Sequence, residues 1–199
     1  EGDPDLDGAD RFRKLSIYAH KALARQTPGT RRKAARLRAR RTSAIHFHWY
    51  IPMTHAVARL RAERLARSVR PFNARGSKVA RCAHCRVAHA YCLCAWRPQV
   101  DSSSGVCLLM YDTEPLKPSN TGWLIADVVA ATSAFGWSRT QPDPGIEQLL
   151  NDPQWQPFIV FPGEYAEPER VVDTVQLDPG RRPLFVLLDA TWMEARKMF

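Results

Sequence analysis

The chain has 199 residues, 45% of them hydrophobic and 25% charged, which is enough for one packed core with a small appendage. It has no apolar run of about eighteen residues, and its first residues do not combine a charged segment with an apolar one, so the sequence predicts neither a membrane span nor a secretory signal. The formal net charge is +9, and we expect a soluble cytoplasmic protein.

The basic charge is concentrated toward the N-terminus. Residues 11–81 contain 20 of the 29 lysines and arginines and one acidic residue, Glu63, whereas residues 82–199 contain 9 basic and 14 acidic residues. A basic arm beside an acidic body is suited to a phosphate backbone, because each neutralised phosphate releases counterions. A solvated, disordered tail would have the same composition.

Residues 1–52 show no periodic apolar pattern long enough to form a buried face, and the chain does not begin with methionine. The first methionine, Met53, opens an amphipathic basic pattern that predicts a helix closed by Pro71. If translation starts at Met53, residues 53–199 carry 17 basic and 15 acidic residues. We therefore give little weight to the overall pI and expect residues 1–52 to be a disordered or mis-assigned extension.

Four of the five cysteines lie within RCAHCRVAHAYCLC at 81–94, as the close pairs Cys82-x2-Cys85 and Cys92-x-Cys94. Four soft thiolates at this spacing can close a tetrahedron around zinc, and such a site is structural because no position is left for water. A redox centre would use one Cys-x-x-Cys on a thioredoxin-like βαβ unit, which does not flank these residues. Disulfides or free thiols are the weaker alternative in a reducing cytosol. The sequence thus predicts a structural zinc site.

Three further residues resemble metal ligands in type. His84 and His89 each lie close to a cysteine in a tight loop, and we expect both to be exposed to solvent. Cys107 lies within the apolar run VCLLMY and is predicted to be a small core residue.

The next segment predicts a strand followed by two helices. Residues 106–111 form an apolar run of strand length, and the polar residues Ser119, Asn120 and Thr121 open a helix over 119–135. QPDPG at 141–145 predicts a turn, and IEQLL at 146–150 predicts a short helix.

The last third predicts strands and a capped helix. FIVFP at 158–162 indicates a buried strand, TVQL at 174–177 a weaker one, and PLFVLLD at 183–189 is the strongest strand pattern in the chain. TWMEARKMF at 191–199 is helical and begins with the capping box Thr191-x-x-Glu194. The order β, α, β, β, α predicts an α/β domain with a mostly parallel sheet.

In such sheets ligands bind beyond the carboxyl ends of the strands. Two loops of the chain, 112–122 and 189–191, join an apolar strand to a capped helix. The free N–H groups of the first helical turn favour an anionic group such as a carboxylate or a phosphate.

Several motifs occur in a fixed order: RCAHCRVAHAYCLC, EPLKPSNTGWLI, AFGWSRT, FPGEYA and LLDATWMEARKMF. Over about residues 75–199 the chain resembles the DTW-domain family and is most similar to its bacterial tRNA-uridine aminocarboxypropyltransferase members. The resemblance implies transfer of the 3-amino-3-carboxypropyl group from S-adenosylmethionine to N3 of a uridine in tRNA. It also implies an α/β fold related to the SPOUT class, with a C-terminal knotted region that we expect to be truncated here.

The resemblance also implies a set of site residues. Two positions depart from the family pattern, because Tyr111 stands where many members have His and Trp123 where they have Arg. The implied zinc ligands are Cys82, Cys85, Cys92 and Cys94. The implied central-loop residues are Glu114, Lys117, Ser119, Asn120 and Thr121, and the signature residues are Asp189, Thr191 and Trp192.

The implied reaction makes two chemical demands. Attack at the aminocarboxypropyl carbon instead of the methyl requires the amino and carboxylate ends of the donor to be clamped, and Lys117 with the SNTG turn could hold that carboxylate or an RNA phosphate. Uridine N3 must also lose a proton. Asp189 is our candidate general base, with helix capping as its alternative role, and Glu114 is an alternative base or a ligand for the substrate amine.

For the two remaining signature residues, the sequence favours helix capping by Thr191 and leaves Trp192 either stacking on a base or in the core.

Two other functions fit the same residues, a zinc-stabilised RNA-binding module without catalysis and a SPOUT-class RNA methyltransferase. The predicted organisation is an extension at 1–52, a basic helix and zinc-binding segment at 53–104, and a C-terminally incomplete DTW catalytic domain at 105–199.

Overall fold

The computed structural model of the protein describes residues 16–18, 55–98 and 100–199. Most of the segment 1–52, and Met53, lie outside these residues, so what the sequence predicts there stays a prediction. Within the described part, none of the helices has the length and apolar content that a membrane span requires.

The centre of the fold is a parallel sheet with six strands in the described residues. The strand order is β3-β2-β6-β4-β1-β5, and every neighbouring pair runs parallel. The predicted α/β fold with a parallel sheet is confirmed, while the SPOUT relationship and the knot stay predictions. The strands are β1 (Ser16–Tyr18), β2 (Gly105–Met110), β3 (Thr132–Gly136), β4 (Trp155–Val160), β5 (Val171–Val172) and β6 (Arg182–Asp189).

Strands β2 and β6 lie in the interior of the sheet because their sequences are apolar almost without interruption. In β2, Cys107 and Leu109 point to one face and Leu108 and Met110 to the other, and each is at most 1% exposed. Continuous apolar runs are typical of parallel strands that are covered on both faces. The prediction that Cys107 is a core residue is confirmed.

Helices cover both faces of the sheet. Helices α1 (Ala56–Ala66) and α2 (Gly122–Val128) pack on the face of Leu108 and Met110. Helices α3 (Pro144–Asn151) and α4 (Trp192–Met198) pack on the opposite face, with Cys107 and Leu109. The result is a three-layer α/β/α arrangement.

Strand β1 comes from the segment 1–52, in which the sequence pattern predicts no packed element. Its middle residue, Ile17, pairs with Ile159 of β4 on one side and with Val171 of β5 on the other. A strand of three residues is too short for periodicity to reveal. Its partners come together only when the sheet forms.

The predicted helix over 119–135 was wrong in its second half. Helix α2 ends at Val128, Val129 is extended with φ −97° and ψ 107°, and β3 follows and pairs Ala134 with Leu108. The β-branched pair Val128 and Val129 disfavours a longer helix, and the edge of β2 offers the backbone an alternative set of hydrogen bonds.

Two other boundaries differ from the predictions. The basic helix ends at Ala66, well before Pro71, and the Ser68 hydroxyl donates to the Arg64 carbonyl 3.0 Å away, which satisfies one acceptor of the last turn. The predicted strand at 174–177 was wrong, because the Gln156 side chain holds this segment by bonding Gln176 O and Asp178 N. The strand in this part of the chain is β5, a few residues earlier, which pairs with β1.

Candidate metal centre and active site

The cysteine knuckle, residues 81–96, brings the four predicted zinc ligands together. All four ligand sulfurs lie within 4.8 Å of one another, with Sγ–Sγ distances of 3.6 Å for Cys82–Cys94 and 3.8 Å for Cys85–Cys92. A tetrahedral zinc site with Zn–S bonds of about 2.3 Å has S–S separations of about 3.8 Å. A disulfide would require about 2.05 Å, and all of these cysteines are free. The geometry fits a four-thiolate metal site.

Local backbone turns place the ligands. A bridge between Arg81 and Ala88 closes the first loop, where Cys82 N donates to Val87 O at 2.9 Å and Arg86 adopts φ 60°. Two 3₁₀ turns, His89–Tyr91 and Cys94–Trp96, position the second pair of ligands. Both pairs therefore converge through contacts within about fifteen residues of chain.

The thiols differ in how readily they ionise. The backbone N–H of Cys85, followed by that of His84, lowers the pKa of Cys82 to about 6, against the effect of burial. Burial and hydrogen bonds with neighbouring thiols raise the pKa of Cys94 to about 12. A cluster that favours one thiolate and resists the next needs a cation to hold more negative charge, which fits Zn²⁺.

The knuckle is tied to the α/β body through Trp123. The Trp123 indole N–H donates to His84 O at 2.8 Å, and the Arg86 guanidinium lies 5.5 Å from the centre of the same ring. A second link is the ion pair of Arg97 with Asp127 of α2. His84 and His89 are exposed at their side chains, as predicted, and lie outside the group of four sulfurs.

The carboxyl edge of β2 and β6 carries a second group of polar residues, which we call the strand-end cluster: Glu114, Lys117, Asn120 and Asp189. Asn120 Nδ2 donates to Asp189 Oδ2 at 2.8 Å, while Asn120 Oδ1 accepts from Trp123 N at 2.9 Å. Met110 and Asp189 are register partners, which brings the two loops to the same point of the edge.

Gly122 makes this arrangement possible. A Cβ at position 122 would lie 2.5 Å from Asp189 Oδ2, a distance that real Cβ atoms do not adopt. The sequence pattern places Gly122 in the SNTG turn but does not reveal that the carboxylate fills the space of its missing side chain. The close approach of Asp189 to the backbone is the reason for a glycine here.

The two carboxyl groups of the cluster are harder to ionise than usual. Burial raises the pKa of Asp189, although Asn120 and Lys117 oppose the shift. Burial also raises the pKa of Glu114, which is 6% exposed and forms an ion pair with Lys117. The cluster thus combines one buried and one half-buried acid with one ammonium group, a combination that is typical of acid–base sites.

A comparison with known families decides the relationship of the chain. The sequence profile of the DTW domain matches residues 79–199. The chain belongs to the DTW domain family. DTW domains are known for tRNA modification, and this general function fits the chain. No solved structure matches it.

The remaining DTW residues that were predicted from sequence lie around the cluster with different roles. Ser119 and Thr121 are exposed, and Asn120, not Thr121, supplies the side-chain bond that caps α2. Thr191 forms the predicted capping box, with Thr191 N donating to Glu194 Oε2 at 3.0 Å.

Trp192 of the DTW signature packs partly on the core, one of the two alternatives that the sequence left open, and its stacking on a base stays a prediction. Its ring stacks on Phe161 with centroids 5.6 Å apart and planes 11° apart, and Phe161 in turn stacks on Phe199. Trp192 nevertheless remains 48% exposed. One face of the ring packs on the core while part of it stays accessible.

The sequence did not indicate a cleft that lies between α1 and the DTW domain. It has a volume of about 840 Å³ and lies beside the carboxyl ends of β2 and β3. Arg64 closes one side through a bidentate ion pair with Asp112, at 2.7 and 2.8 Å, and Trp137 lines the other side while stacking on Tyr111. Tyr111, the position that departs from the family pattern, therefore supports an aromatic wall.

Proposed function

We propose that this DTW domain protein transfers the 3-amino-3-carboxypropyl group of S-adenosylmethionine to N3 of a uridine in tRNA. The observation that carries the proposal is the strand-end cluster, in which Asp189 and Glu114 share the neighbourhood of Lys117 at the carboxyl edge of the sheet. This edge is where parallel α/β sheets bind their ligands.

Asp189 is suited to the role of general base. Its raised pKa strengthens it as a proton acceptor relative to an exposed carboxylate, and Asn120 fixes its orientation through Oδ2. We assign the other oxygen, Oδ1, to the N3 proton of the uridine. Asp189 takes this proton as the N3–carbon bond forms and the carbon–sulfur bond breaks, with the electron pair leaving on sulfur.

Glu114 and Lys117 are suited to hold the amino acid end of the donor. That end is a zwitterion, and the pair offers a carboxylate for its ammonium and an ammonium for its carboxylate. Fixing both charges would orient the chain so that the aminocarboxypropyl carbon, and not the methyl, faces the nucleophile. S-adenosylmethionine supplies the sulfonium that activates this carbon.

The test is mass spectrometry of tRNA nucleosides after incubation of the full-length protein with tRNA and S-adenosylmethionine. We expect a mass gain that matches an aminocarboxypropyl group. Asp189→Asn should lower the rate by about 100- to 10,000-fold, the range typical of a lost general base. Asp173→Asn, at an exposed carboxylate, should leave the rate unchanged.

Other outcomes identify the alternatives. A methyl gain would replace the proposal with a SPOUT-class methyltransferase. Unchanged nucleosides, together with retained tRNA binding, would indicate an RNA-binding module without catalysis.

A further inference from the structure

The cysteine knuckle exposes large apolar side chains that the fold does not bury. Tyr91 is 75% exposed, Trp96 is 83% exposed, and Leu93 between them is 46% exposed. By contrast, Trp123 and Trp155 of the α/β body are each at most 9% exposed. The aromatic rings of the knuckle are therefore exposed to water although the fold can bury rings of the same size. Grouped exposed apolar side chains of this kind indicate an interaction surface.

The backbone at both exposed rings is held in place next to the cysteines of the cluster. Tyr91 directly precedes Cys92, and Trp96 follows Cys94 by two residues. Each ring ends a 3₁₀ turn, closed by Tyr91 N donating to Ala88 O at 2.8 Å and Trp96 N donating to Leu93 O at 2.9 Å. A backbone that is already ordered loses little conformational entropy on binding, and an aromatic side chain has few rotatable bonds to fix.

The chain segment that carries the rings has a net charge that favours a polyanion. Residues 55–98 contain ten lysines and arginines and one acidic residue, whereas residues 100–199 contain seven basic and fourteen acidic residues. Arg75 and Lys78 are exposed next to the knuckle, and Arg81 and Arg86 within it are partly exposed. Aromatic rings interleaved with guanidinium groups are the features that bind single-stranded nucleic acid, by stacking on bases and neutralising phosphates.

The knuckle is also connected to the strand-end cluster by consecutive hydrogen bonds. His84 O accepts from the Trp123 indole, Trp123 N donates to Asn120 Oδ1, and Asn120 Nδ2 donates to Asp189 Oδ2. The first loop of the knuckle is therefore joined to the Asp189 carboxylate through Trp123 and Asn120.

We propose that Tyr91 and Trp96 form a stacking platform for unpaired bases of the RNA substrate, with the surrounding arginines and lysines on its phosphates. The inference rests on the proposed function in that the partner is RNA. It adds the kind of RNA recognised, namely a single-stranded loop next to the modified uridine.

The test measures binding of the full-length, zinc-loaded protein to two labelled RNAs of equal length, a hairpin with an unpaired loop and a fully paired duplex. We expect Tyr91→Ala and Trp96→Ala each to weaken loop binding by about 5- to 100-fold, the range for one lost stacking contact, and to change duplex binding little. Tyr91→Phe and Trp96→Phe should retain most of the loop affinity. Met193→Ala removes a 66% exposed apolar side chain outside the knuckle and serves as the matched control.

Zinc content is measured for every variant, so that a lost metal site is not mistaken for a lost stacking contact. Equal loop affinity of the wild type and both alanine variants would overturn the platform, even if the nucleoside product still forms. Equal losses of affinity for the loop and the duplex would also overturn it. So would alanine variants that keep their affinity for both RNAs but lose binding to anionic phospholipid vesicles, measured in parallel. Failure of the wild type to bind any RNA would instead count against the proposed function itself.

Discussion

At the scale of single residues, the decisive feature is the space that Gly122 leaves for Asp189. The carboxylate sits where a side chain at 122 would begin, and Asn120 fixes it there. Asp189 is half-buried here, and this partial burial raises its pKa. One missing Cβ thus sets both the position and the chemistry of the proposed base.

Gly122→Ala should displace the carboxylate and break its bond with Asn120. We expect a loss of about 1–3 kcal/mol in the free energy of unfolding, as for other overpacked sites, measured by urea denaturation. Gly136→Ala is the matched control, because its Cβ would meet its nearest neighbour, Leu60 Cδ1, at an ordinary 3.9 Å. Equal stabilities of the two variants would show that the cluster tolerates a side chain at 122.

Asp189→Asn should reveal the raised pKa through the pH dependence of stability. Because the folded state binds this proton more tightly than the unfolded state, wild-type stability falls as pH rises from the ordinary value of 3.8 through the raised one. Asn has no ionised form, so its burial does not carry the cost of burying a charge. We therefore expect the variant to have a higher Tm than the wild type at pH 7, with the difference shrinking at low pH.

Asp112→Asn provides a control of opposite sign. The Arg64 guanidinium lowers the pKa of Asp112, which contributes stability above its ordinary pKa that is lost as pH falls. This variant should be less stable than the wild type at pH 7. If Asp189→Asn behaved in the same way, burial would not be the dominant effect on that carboxyl.

At the scale of elements, helix α2 connects the metal centre to the strand-end cluster. Its first turn holds Trp123, whose backbone N–H meets Asn120 and whose indole meets His84 O, and Asp127 one turn later pairs with Arg97. The family departure at Trp123 is therefore a structural contact in this chain. Trp123 itself is 9% exposed, while His84, its partner, is exposed, so the bond is part-buried.

Trp123→Phe should loosen the knuckle without emptying the core. The lost indole bond leaves His84 O without this donor, and we expect a cost of about 0.5–1.5 kcal/mol and faster loss of zinc to a chelator. The measurement is the rate of zinc release with a chromogenic chelator. Trp137→Phe, at a ring that stacks on Tyr111, should release zinc at the wild-type rate. Identical zinc-release rates for both variants would show that the bond between Trp123 and His84 does not stabilise the knuckle.

At the scale of the whole molecule, opposite charges are carried by two parts of one chain. The segment 55–98, with the knuckle, is strongly basic, and the α/β body at 100–199 is acidic. A polyanion would be drawn to the basic segment and kept from most of the acidic one. Packing of α1 on the sheet fixes the first part of the basic segment, and the four converging cysteines shape the knuckle.

Purified protein should contain about one zinc ion per chain, and Cys85→Ser should lose both the metal and its solubility. The reason is that Cys85 is 1% exposed and contributes one of four converging sulfurs. Metal analysis with size-exclusion chromatography gives the readout. Cys107→Ala, at an equally buried thiol outside the cluster, should keep its zinc. A metal-free wild type that is fully folded would contradict the zinc assignment.

Features that depend on short stretches of chain could be predicted from the sequence. The apolar runs of β2 and β6, the capping box of α4 and the four converging thiols each involve residues within about fifteen positions, where spacing and residue type are sufficient. The same reasoning failed for β3. Its residues continue the helical pattern of α2, but their backbone forms hydrogen bonds with β2 instead.

The sequence by itself therefore determined the cluster of four cysteines, the parallel α/β class and the identity of the strand-end loops. Only the tertiary structure decided what surrounds Asp189, since Asn120 is 69 residues away and Gly122 is an unremarkable turn residue until the sheet forms. It likewise decided the contact between Trp123 and His84, 39 residues apart. Burial, pKa and hydrogen-bond partners come from chain segments that meet through strand register, and register is a property of the assembled sheet.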